Sequence, residues 1–223
     1  MQQDSRLDAN SIRDRILDNI REATAGRPAR DPGRPAGSFV YIPEGPLTEV
    51  FADSLRKVGG HVELLSGLTE VAASLGRLIM ENKWSVIACP DVLLSEALKL
   101  VSPGIHIRQE LSEETDVVIT RCDALVADTG SVFLSSSLTS GRKAIVYGPA
   151  HIVIATGSQL FPDAGSAMES LAGRHRESPS SLLSVITGPS RTADIEKTLI
   201  LGAHGPKALH VLICETDLMD DNI

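Results

Sequence analysis

Near the start of the chain, hydrophobic residues recur every four positions, and this spacing predicts a helix over residues 5–24. Ile12, Ile16 and Ile20 fall on one face of that helix, and charged residues fill the opposite face. Three prolines and three glycines follow within residues 26–37, a composition typical of a linker. We therefore expect residues 1–37 to form a helical arm and linker. The apolar stripe of the arm must pack on the body of the protein or on another subunit.

From residue 38 onward, short aliphatic runs alternate with longer amphipathic segments. This alternation is typical of βαβ units built around a parallel sheet. The predicted strands are residues 38–42, 61–65 and 85–89, and the predicted helices are residues 46–57, 68–81 and 91–100. The first half of the main domain is therefore predicted to have a layered α/β structure.

After about residue 112 the aliphatic runs become shorter and tight turns separate them, which indicates hairpins. The predicted strands are residues 124–127, 132–134, 144–147, 152–155, 182–186 and 209–213, and residues 165–175 are a predicted helix. The expected fold class is α/β, with a mixed, mostly parallel central sheet flanked by helices. This domain is assigned to residues 38–214, and an acidic tail follows at residues 215–223.

Composition narrows the possible functions. Hydrophobic residues make up 42% of the chain and aromatic residues only 3%, so the core must be largely aliphatic. The formal net charge is −8, which disfavours binding to nucleic acid or to anionic membrane surfaces. No apolar run approaches the roughly 20 residues of a membrane-spanning helix, and the polar first ten residues do not form a secretory signal. We therefore expect a cytoplasmic protein.

The cysteine and histidine spacings do not indicate a metal site. Cys89, Cys122 and Cys214 are far apart and form no C-x-x-C motif, so we expect buried thiols at the ends of strands. His204 and His210 lack a third ligand nearby in the sequence. The prediction is that this chain by itself binds no metal ion and no iron–sulfur cluster.

Asp128, Thr129, Gly130 and Ser131 lie between two aliphatic runs, and three interpretations of this segment are open. Asp-Thr-Gly-Ser is the form of an aspartic protease loop, but that chemistry requires two aspartates that share a proton, and no second copy is present. The segment also suits a hairpin turn in which Gly130 has a positive φ and Asp128 caps backbone N–H groups. In the third interpretation, the turn lines a binding pocket.

The segment from Gly188 to Glu196 is typical of the start of a helix, because Ser190 or Thr192 is able to cap a first turn that also carries acidic residues. One interpretation is a purely structural capped turn. In the other, backbone N–H groups and the two hydroxyl groups bind an anionic ligand, and Asp194 or Glu196 acts as an acid or base. The two carboxylates would repel an anion unless one points away or Arg191 neutralises it.

A histidine lies within a second glycine-rich turn, Gly202-Ala203-His204-Gly205-Pro206. Histidine titrates near neutral pH, so His204 at the surface of a cleft would suit proton transfer. The alternative interpretation is that His204 hydrogen bonds to the local backbone.

Segments 128–131, 188–196 and 202–206, followed by the aliphatic run 209–213, resemble the lactate utilization protein C family, whose members carry a LUD domain. The resemblance is specific over residues 123–214. It implies a fold related to sugar-phosphate isomerases and coenzyme A transferases. This chain lacks the clustered cysteines of the longer members, so it resembles the short, cluster-free type.

The resemblance implies a subunit that supports oxidation of L-lactate to pyruvate together with iron–sulfur partner proteins, the clusters lying on the partners. The alternatives are a stand-alone isomerase or transferase acting on a sugar phosphate or acyl-coenzyme A, and a non-catalytic assembly subunit. The N-terminal helix offers a surface for a possible homo-oligomer. The predicted catalytic residues are Asp194, Glu196 and His204. The predicted binding residues for a small anion or phosphorylated ligand are Asp128, Thr129, Gly130, Ser131, Gly188, Ser190, Thr192 and Gly205.

Overall fold

The chain divides into two units, residues 1–39 and 40–223. The computed structural model describes residues 4–25, 43–138, 143–144, 146–174, 176, 179–193, 199–202 and 205–215. In the first unit the described element is helix α1 (Asp4–Thr24), which confirms the predicted N-terminal helix. The predicted linker 26–37, the predicted strand 38–42 and residues 216–223 of the predicted tail lie outside the described residues.

The second unit combines helices and strands in the layered order that the alternation predicts. Its helices are α2 (Leu47–Lys57), α3 (Leu68–Asn82), α4 (Val92–Val101) and α5 (Ala164–Arg174). Its strands, in chain order, are β1 (His61–Leu65), β2 (Ile87–Ala88), β3 (Ile107–Arg108), β4 (Val117–Arg121), β5 (Ala124–Val126), β6 (Ser131–Ser135), β7 (Ala150–Thr156), β8 (Leu160–Phe161), β9 (Leu183–Ile186), β10 (Arg191–Ala193), β11 (Leu199–Leu201) and β12 (Ala208–Cys214).

Six strands form a large parallel sheet in the order β1-β12-β7-β4-β2-β3. Every residue of the central strand β7 is buried, because β4 and β12 pair with its two edges and apolar layers cover its two faces. Helices α3 and α4 contribute the apolar layer on one face, where Val71, Leu75 and Leu78 recur at helical spacing. The sheet and its helices confirm the predicted α/β class.

A second sheet, in the order β8-β5-β6-β9, covers part of the opposite face of the large sheet. Strands β5 and β6 form an antiparallel hairpin whose register pairs Val126 with Ser131. Strand β9 continues this sheet by pairing Ile186 with Val132. Helix α2 shares the apolar layer between the sheets, and α5 packs on the outer side of the small sheet. The hairpin and the positive φ of Gly130 are therefore confirmed, but the predicted capping by Asp128 is not: its Oδ1 has no hydrogen-bond partner among the described residues.

Three predictions for the second half of the chain are wrong. Residues 152–155 belong to the parallel strand β7 rather than to a hairpin, and β4 was not predicted. The described residues within 144–147 form turns instead of a strand. Strand β10 replaces the predicted helix start, because residues 191–193 pair antiparallel with β11. Partners that are distant in the sequence therefore override the local turn and capping pattern.

Candidate functional site

The turn between β5 and β6 packs tightly against the last turns of helix α2. Gly130 has a φ of +64°, and a Cβ atom at this position would overlap the backbone of Ser54 and Leu55. The Ser54 hydroxyl group donates a hydrogen bond to the Asp128 carbonyl oxygen over 3.2 Å. Asp128 Oδ1 is buried and has no hydrogen-bond partner among the described residues. Gly130 is therefore required for close packing of the hairpin on the helix.

One hydroxyl group links this hairpin to the turn that follows β9. Ser131 Oγ lies 2.8 Å from Thr129 Oγ1 and 2.7 Å from Thr187 Oγ1. The contact forms because β6 and β9 are neighbours, so the end of β9 lies beside the beginning of β6. Ser131, one of the predicted binding residues, therefore joins the hairpin to the turn after β9.

The turn after β9 lies against the C-terminal end of α2. Gly188 has a φ of +77°, and a Cβ atom there would lie only 2.8 Å from the Val58 carbonyl oxygen. The same carbonyl accepts a hydrogen bond of 2.6 Å from Arg191 Nη2. The backbone of this turn is thus fixed by contacts with α2, and its glycine is required by both φ and space.

The glycine-proline segment before β12 pairs with the same turn. The Ser190 amide donates a hydrogen bond of 2.8 Å to the Pro206 carbonyl oxygen, and the Gly202 amide donates one of 2.9 Å to the Ser190 carbonyl oxygen. A Cβ atom on Gly205 would lie 3.2 Å from Ser190 Cβ. The two late glycine-proline turns therefore meet, as predicted from the sequence.

An open groove of about 500 Å³ runs along these two turns. Polar and apolar groups share its walls almost equally, and the polar groups include hydroxyl groups and one guanidinium group. The described lining residues are Val146, Ser184, Val185, Ile186, Thr187, Gly188, Pro189, Ser190, Arg191, Gly205 and Pro206. Of the predicted binding residues, Gly188, Ser190 and Gly205 line the groove. Ser131 touches it through Thr187, whereas Asp128, Thr129 and Gly130 are not among the lining residues.

The predicted catalytic residues Asp194, Glu196 and His204 lie outside the described residues. The backbone of Thr192 belongs to β10, where it pairs with Ile200. Arg191, which the sequence suggested only as a counter-ion, is the cationic residue that the structure places on the groove. The sequence around Arg191 gives no signal for this role, because the glycine against which it lies, Gly59, is 132 residues earlier in the chain.

The groove lies at the amino edge of the large sheet, where its parallel strands begin. The Lys207 amide donates a hydrogen bond of 2.7 Å to the Pro149 carbonyl oxygen, so the segments that precede β12 and β7 are joined there. Val58, which contacts Arg191, precedes β1. The groove is therefore bordered by the segments that lead into three neighbouring strands.

The opposite, carboxyl edge carries a buried ion pair. Asp91, which follows β2, accepts a hydrogen bond of 2.6 Å from Arg121 Nε at the end of β4, and it also caps α4 by accepting one of 3.1 Å from the Leu94 amide. Asp123 lies nearby in the chain and is buried, and its carboxylate accepts hydrogen bonds from the amide and hydroxyl groups of Ser135. These carboxylates are held by fixed partners.

Two histidines have a pKa that is strongly lowered by burial. His151 is buried on β7 with Nε2 2.8 Å from Thr120 Oγ1, and desolvation lowers its pKa to about 4. His210 stacks on His61 with ring centroids 4.7 Å apart, and Trp84 contacts it edge-on. Desolvation, with a smaller contribution from His61, lowers the pKa of His210 to about 4. Within the described residues, no group of three or more histidine, cysteine or acidic side chains is arranged to hold a metal ion.

The three cysteines are buried next to or at the ends of strands, as predicted. Cys89 and Cys214 belong to the core between the large sheet and helices α3 and α4, whereas Cys122 belongs to the core on the other face. Desolvation raises the pKa of Cys89 to about 12 and also raises the pKa of Cys122. Cys89 and Cys122 therefore lie in separate apolar layers on opposite faces of the large sheet.

Comparisons with known proteins identify relatives of this chain. Residues 48–214 match the family model described as LUD domain. Lactate utilization protein C of Oceanobacillus iheyensis is 36% identical over 101 residues, which are 44% of this chain and 43% of that protein. The protein of the same name from Bacillus subtilis is 33% identical over 107 residues, 47% of this chain and 45% of that protein. The matched region thus spans less than half the length of these relatives.

A solved structure supports the fold assignment. It is the crystal structure of a DUF162 family protein from Deinococcus radiodurans, with a TM-score of 0.56 and 19% sequence identity. The similarity covers 75% of this chain and 96% of that chain. At this level of identity the likeness concerns the fold.

Among the described residues, none of the helices has the length and apolar character needed to cross a membrane.

Proposed function

Because the chain belongs to the LUD domain family, we propose that it is a component of a lactate utilization system. Relatives named lactate utilization protein C support this role. Its task is to support the oxidation of L-lactate to pyruvate together with iron–sulfur partner proteins. Lactate loses two electrons and two protons in this reaction, and the clusters of the partners accept the electrons. The separation of the cysteines and the raised pKa of Cys89 and Cys122 support placing those clusters on the partners.

The groove at the amino edge is the observation that carries a ligand-binding role for this chain. Backbone turns at Gly188 and Gly205 border it, and Ser190 contributes a hydroxyl group between them. Arg191 adds a positive charge in a chain whose formal net charge is −8. A partly apolar wall with one cation and nearby hydroxyl groups suits a small anionic ligand. The ligand is lactate, pyruvate or a phosphorylated compound.

The residues predicted to act in proton transfer are neighbours of the groove in the sequence. His204 immediately precedes Gly205, and Asp194 and Glu196 follow β10, which begins with Arg191. In the proposal, one of these groups accepts the hydroxyl proton of a bound 2-hydroxy acid, a second one accepts the proton on C2, and the two electrons of the C2–H bond pass to the partner proteins. Histidine and carboxylate groups are the usual general bases for such a step.

Growth on L-lactate tests the proposed function. A strain that lacks this gene should fail to grow on L-lactate as the carbon source but should grow on pyruvate. Wild-type protein should restore growth, whereas Asp194→Asn and His204→Gln should restore it poorly, with rates of lactate oxidation in extracts reduced at least tenfold. Normal growth of the deletion strain on L-lactate would contradict the proposal.

A structural role in the complex would give a different result in the same strains. If both variants restore full growth while deletion abolishes it, the chain acts in assembly. Its amphipathic helix α1 then becomes the first surface to examine for contacts with partners or with a second copy. If the purified chain alone converts a sugar phosphate or an acyl-coenzyme A, the isomerase or transferase alternative replaces the proposed function.

A further inference from the structure

The guanidinium group of Arg191 is held in place by the backbone at the end of helix α2. Arg191 Nη2 donates a hydrogen bond of 2.6 Å to the carbonyl oxygen of Val58, the C-cap residue of α2. Carbonyl groups at a helix C-terminus carry the negative end of the helix dipole and favour a cation. A backbone carbonyl group at a helix C-terminus thus positions the positive charge.

A glycine makes this position possible. A Cβ atom on Gly59 would overlap Arg191 Nη2, and the φ of Gly59 is +88°, a conformation that other residues rarely adopt. The guanidinium group therefore lies directly against the backbone of residue 59. Any side chain at this position would displace Arg191 from the Val58 carbonyl oxygen.

Within the described residues, the Val58 carbonyl oxygen is the one hydrogen-bond acceptor that Arg191 contacts. In the part of the chain that the structure describes, no carboxylate pairs with Arg191, and the side chain is exposed on the groove wall. Ser190 and Thr187 line the same groove. A guanidinium group with unused parallel N–H groups binds a carboxylate or phosphate through two hydrogen bonds, a geometry that lysine does not reproduce.

We propose that Arg191 is the anion-binding residue of the groove and that Gly59 and the Val58 carbonyl group position it. This inference rests on the proposed function because it concerns the same groove, but its binding test does not depend on lactate oxidation. The bound group is a carboxylate or a phosphate, and the rest of the ligand lies along the groove wall beside the exposed Val185.

Binding of three anions to the purified full-length chain tests the charge. Titration calorimetry with L-lactate, pyruvate and inorganic phosphate should show that at least one of them binds the wild-type chain. Arg191→Lys should weaken that binding at least tenfold, because lysine keeps the charge but lacks the paired N–H groups. The control is Arg56→Lys on the nearby end of α2, whose exposed guanidinium contacts Asp53 and should leave affinity unchanged.

A second pair of variants tests the positioning. Gly59→Ala should weaken anion binding about as much as Arg191→Lys, although it removes no charge. Its control is Gly45→Ala, because Gly45 also has a positive φ of +129° but has no atom within 4 Å of a Cβ position. That control also places an alanine at a positive φ but does not displace Arg191, so its anion affinity should remain that of the wild-type chain.

Either of two outcomes would overturn the inference. One is that Arg191→Lys binds the anion with wild-type affinity, and the other is that none of the three anions binds the wild-type chain. The growth assay separates this inference from the proposed function. If anion binding requires Arg191 but the deletion strain grows normally on L-lactate, the inference stands and the proposed function falls. If Arg191→Lys binds anions normally while deletion abolishes growth, the reverse holds.

Discussion

At the carboxyl edge of the large sheet, charged side chains are bonded to one another, whereas at the amino edge a charged side chain borders an open groove. Asp91 is only 4% exposed and pairs with Arg121, which is buried for most of its length. Arg191 is exposed and, among the described residues, contacts a backbone carbonyl group. At the carboxyl edge the arginine donates to a carboxylate, whereas at the amino edge it donates to a backbone carbonyl group and borders the groove.

This difference is informative because open parallel sheets usually bind ligands at their carboxyl edge, where the chain direction switches. Here the switch lies between β2 and β4, and the Asp91–Arg121 pair occupies it. The small sheet and the β10–β11 hairpin instead bring glycine turns to the amino edge. We conclude that the carboxyl edge stabilises the fold and that the amino edge carries the candidate site.

Removal of Asp91 should have the largest effect on stability. Asp91→Ala eliminates both the cap of α4 and the partner of Arg121, and the loss of one partner from a buried pair leaves an uncompensated charge. We expect the free energy of unfolding to fall by about 4 kcal/mol, which combines the pair and the cap. Urea unfolding of the wild-type and variant chains at pH 7 measures this change in the free energy of unfolding.

The matched control is Asp53→Ala, which removes an exposed ion pair with Arg56 at 3.3 Å. This change should lower the free energy of unfolding by less than about 1 kcal/mol. Equal losses in the two variants would show that the carboxyl edge does not stabilise the fold. Loss of anion binding by a folded Asp91→Ala variant would move the candidate site to that edge.

Acid should weaken the amino half of the sheet through His151. The folded-state pKa of about 4 lies below the ordinary value of 6.5, so the unfolded chain takes up a proton first as the pH falls. His151 therefore contributes stability that is fully present above pH 6.5 and is lost as the pH falls towards 4. The loss between pH 7 and pH 4 is about 3 kcal/mol for this residue.

His151→Gln provides the comparison, since glutamine keeps a hydrogen bond to Thr120 but does not titrate. The difference in unfolding free energy between the wild-type chain and this variant should shrink as the pH falls from 7 to 4. Subtracting one chain from the other cancels the carboxylates whose pKa is lowered, such as Glu63 and Asp116. A difference that stays constant with pH would contradict a neutral, buried His151.

The layered fold could be predicted where local patterns decide the structure. The sequence predicts helices α2, α3 and α4 within one or two residues because their apolar residues repeat at helical spacing. Strand β7 was misassigned to a hairpin because its partners, β4 and β12, are distant in sequence. A short aliphatic run does not reveal which strands it will pair with.

At the candidate site, too, local sequence patterns do not reveal contacts between residues that are distant in the chain. The sequence analysis predicts that glycines in all three turns bind a ligand. Gly130 instead packs on Leu55, whereas Gly205 lies on the groove. The residue type is identical in the two roles, so the sequence does not separate them. Arg191 was overlooked as a binding residue because its position depends on Gly59, which lies 132 residues earlier in the chain.

Ser131→Ala should have the smallest effect and tests how far the hairpin belongs to the groove. Ser131 Oγ contacts both Thr129 Oγ1 and Thr187 Oγ1, and loss of such hydrogen bonds costs about 1 kcal/mol of stability. Thr187 lines the groove, but Ser131 does not, so anion affinity should change less than about twofold. Titration calorimetry on Ser131→Ala and Thr187→Val measures the anion affinity of each variant. A tenfold loss in Ser131→Ala alone would mean that the hairpin contacts the ligand, and the site would then extend from the amino edge into the small sheet.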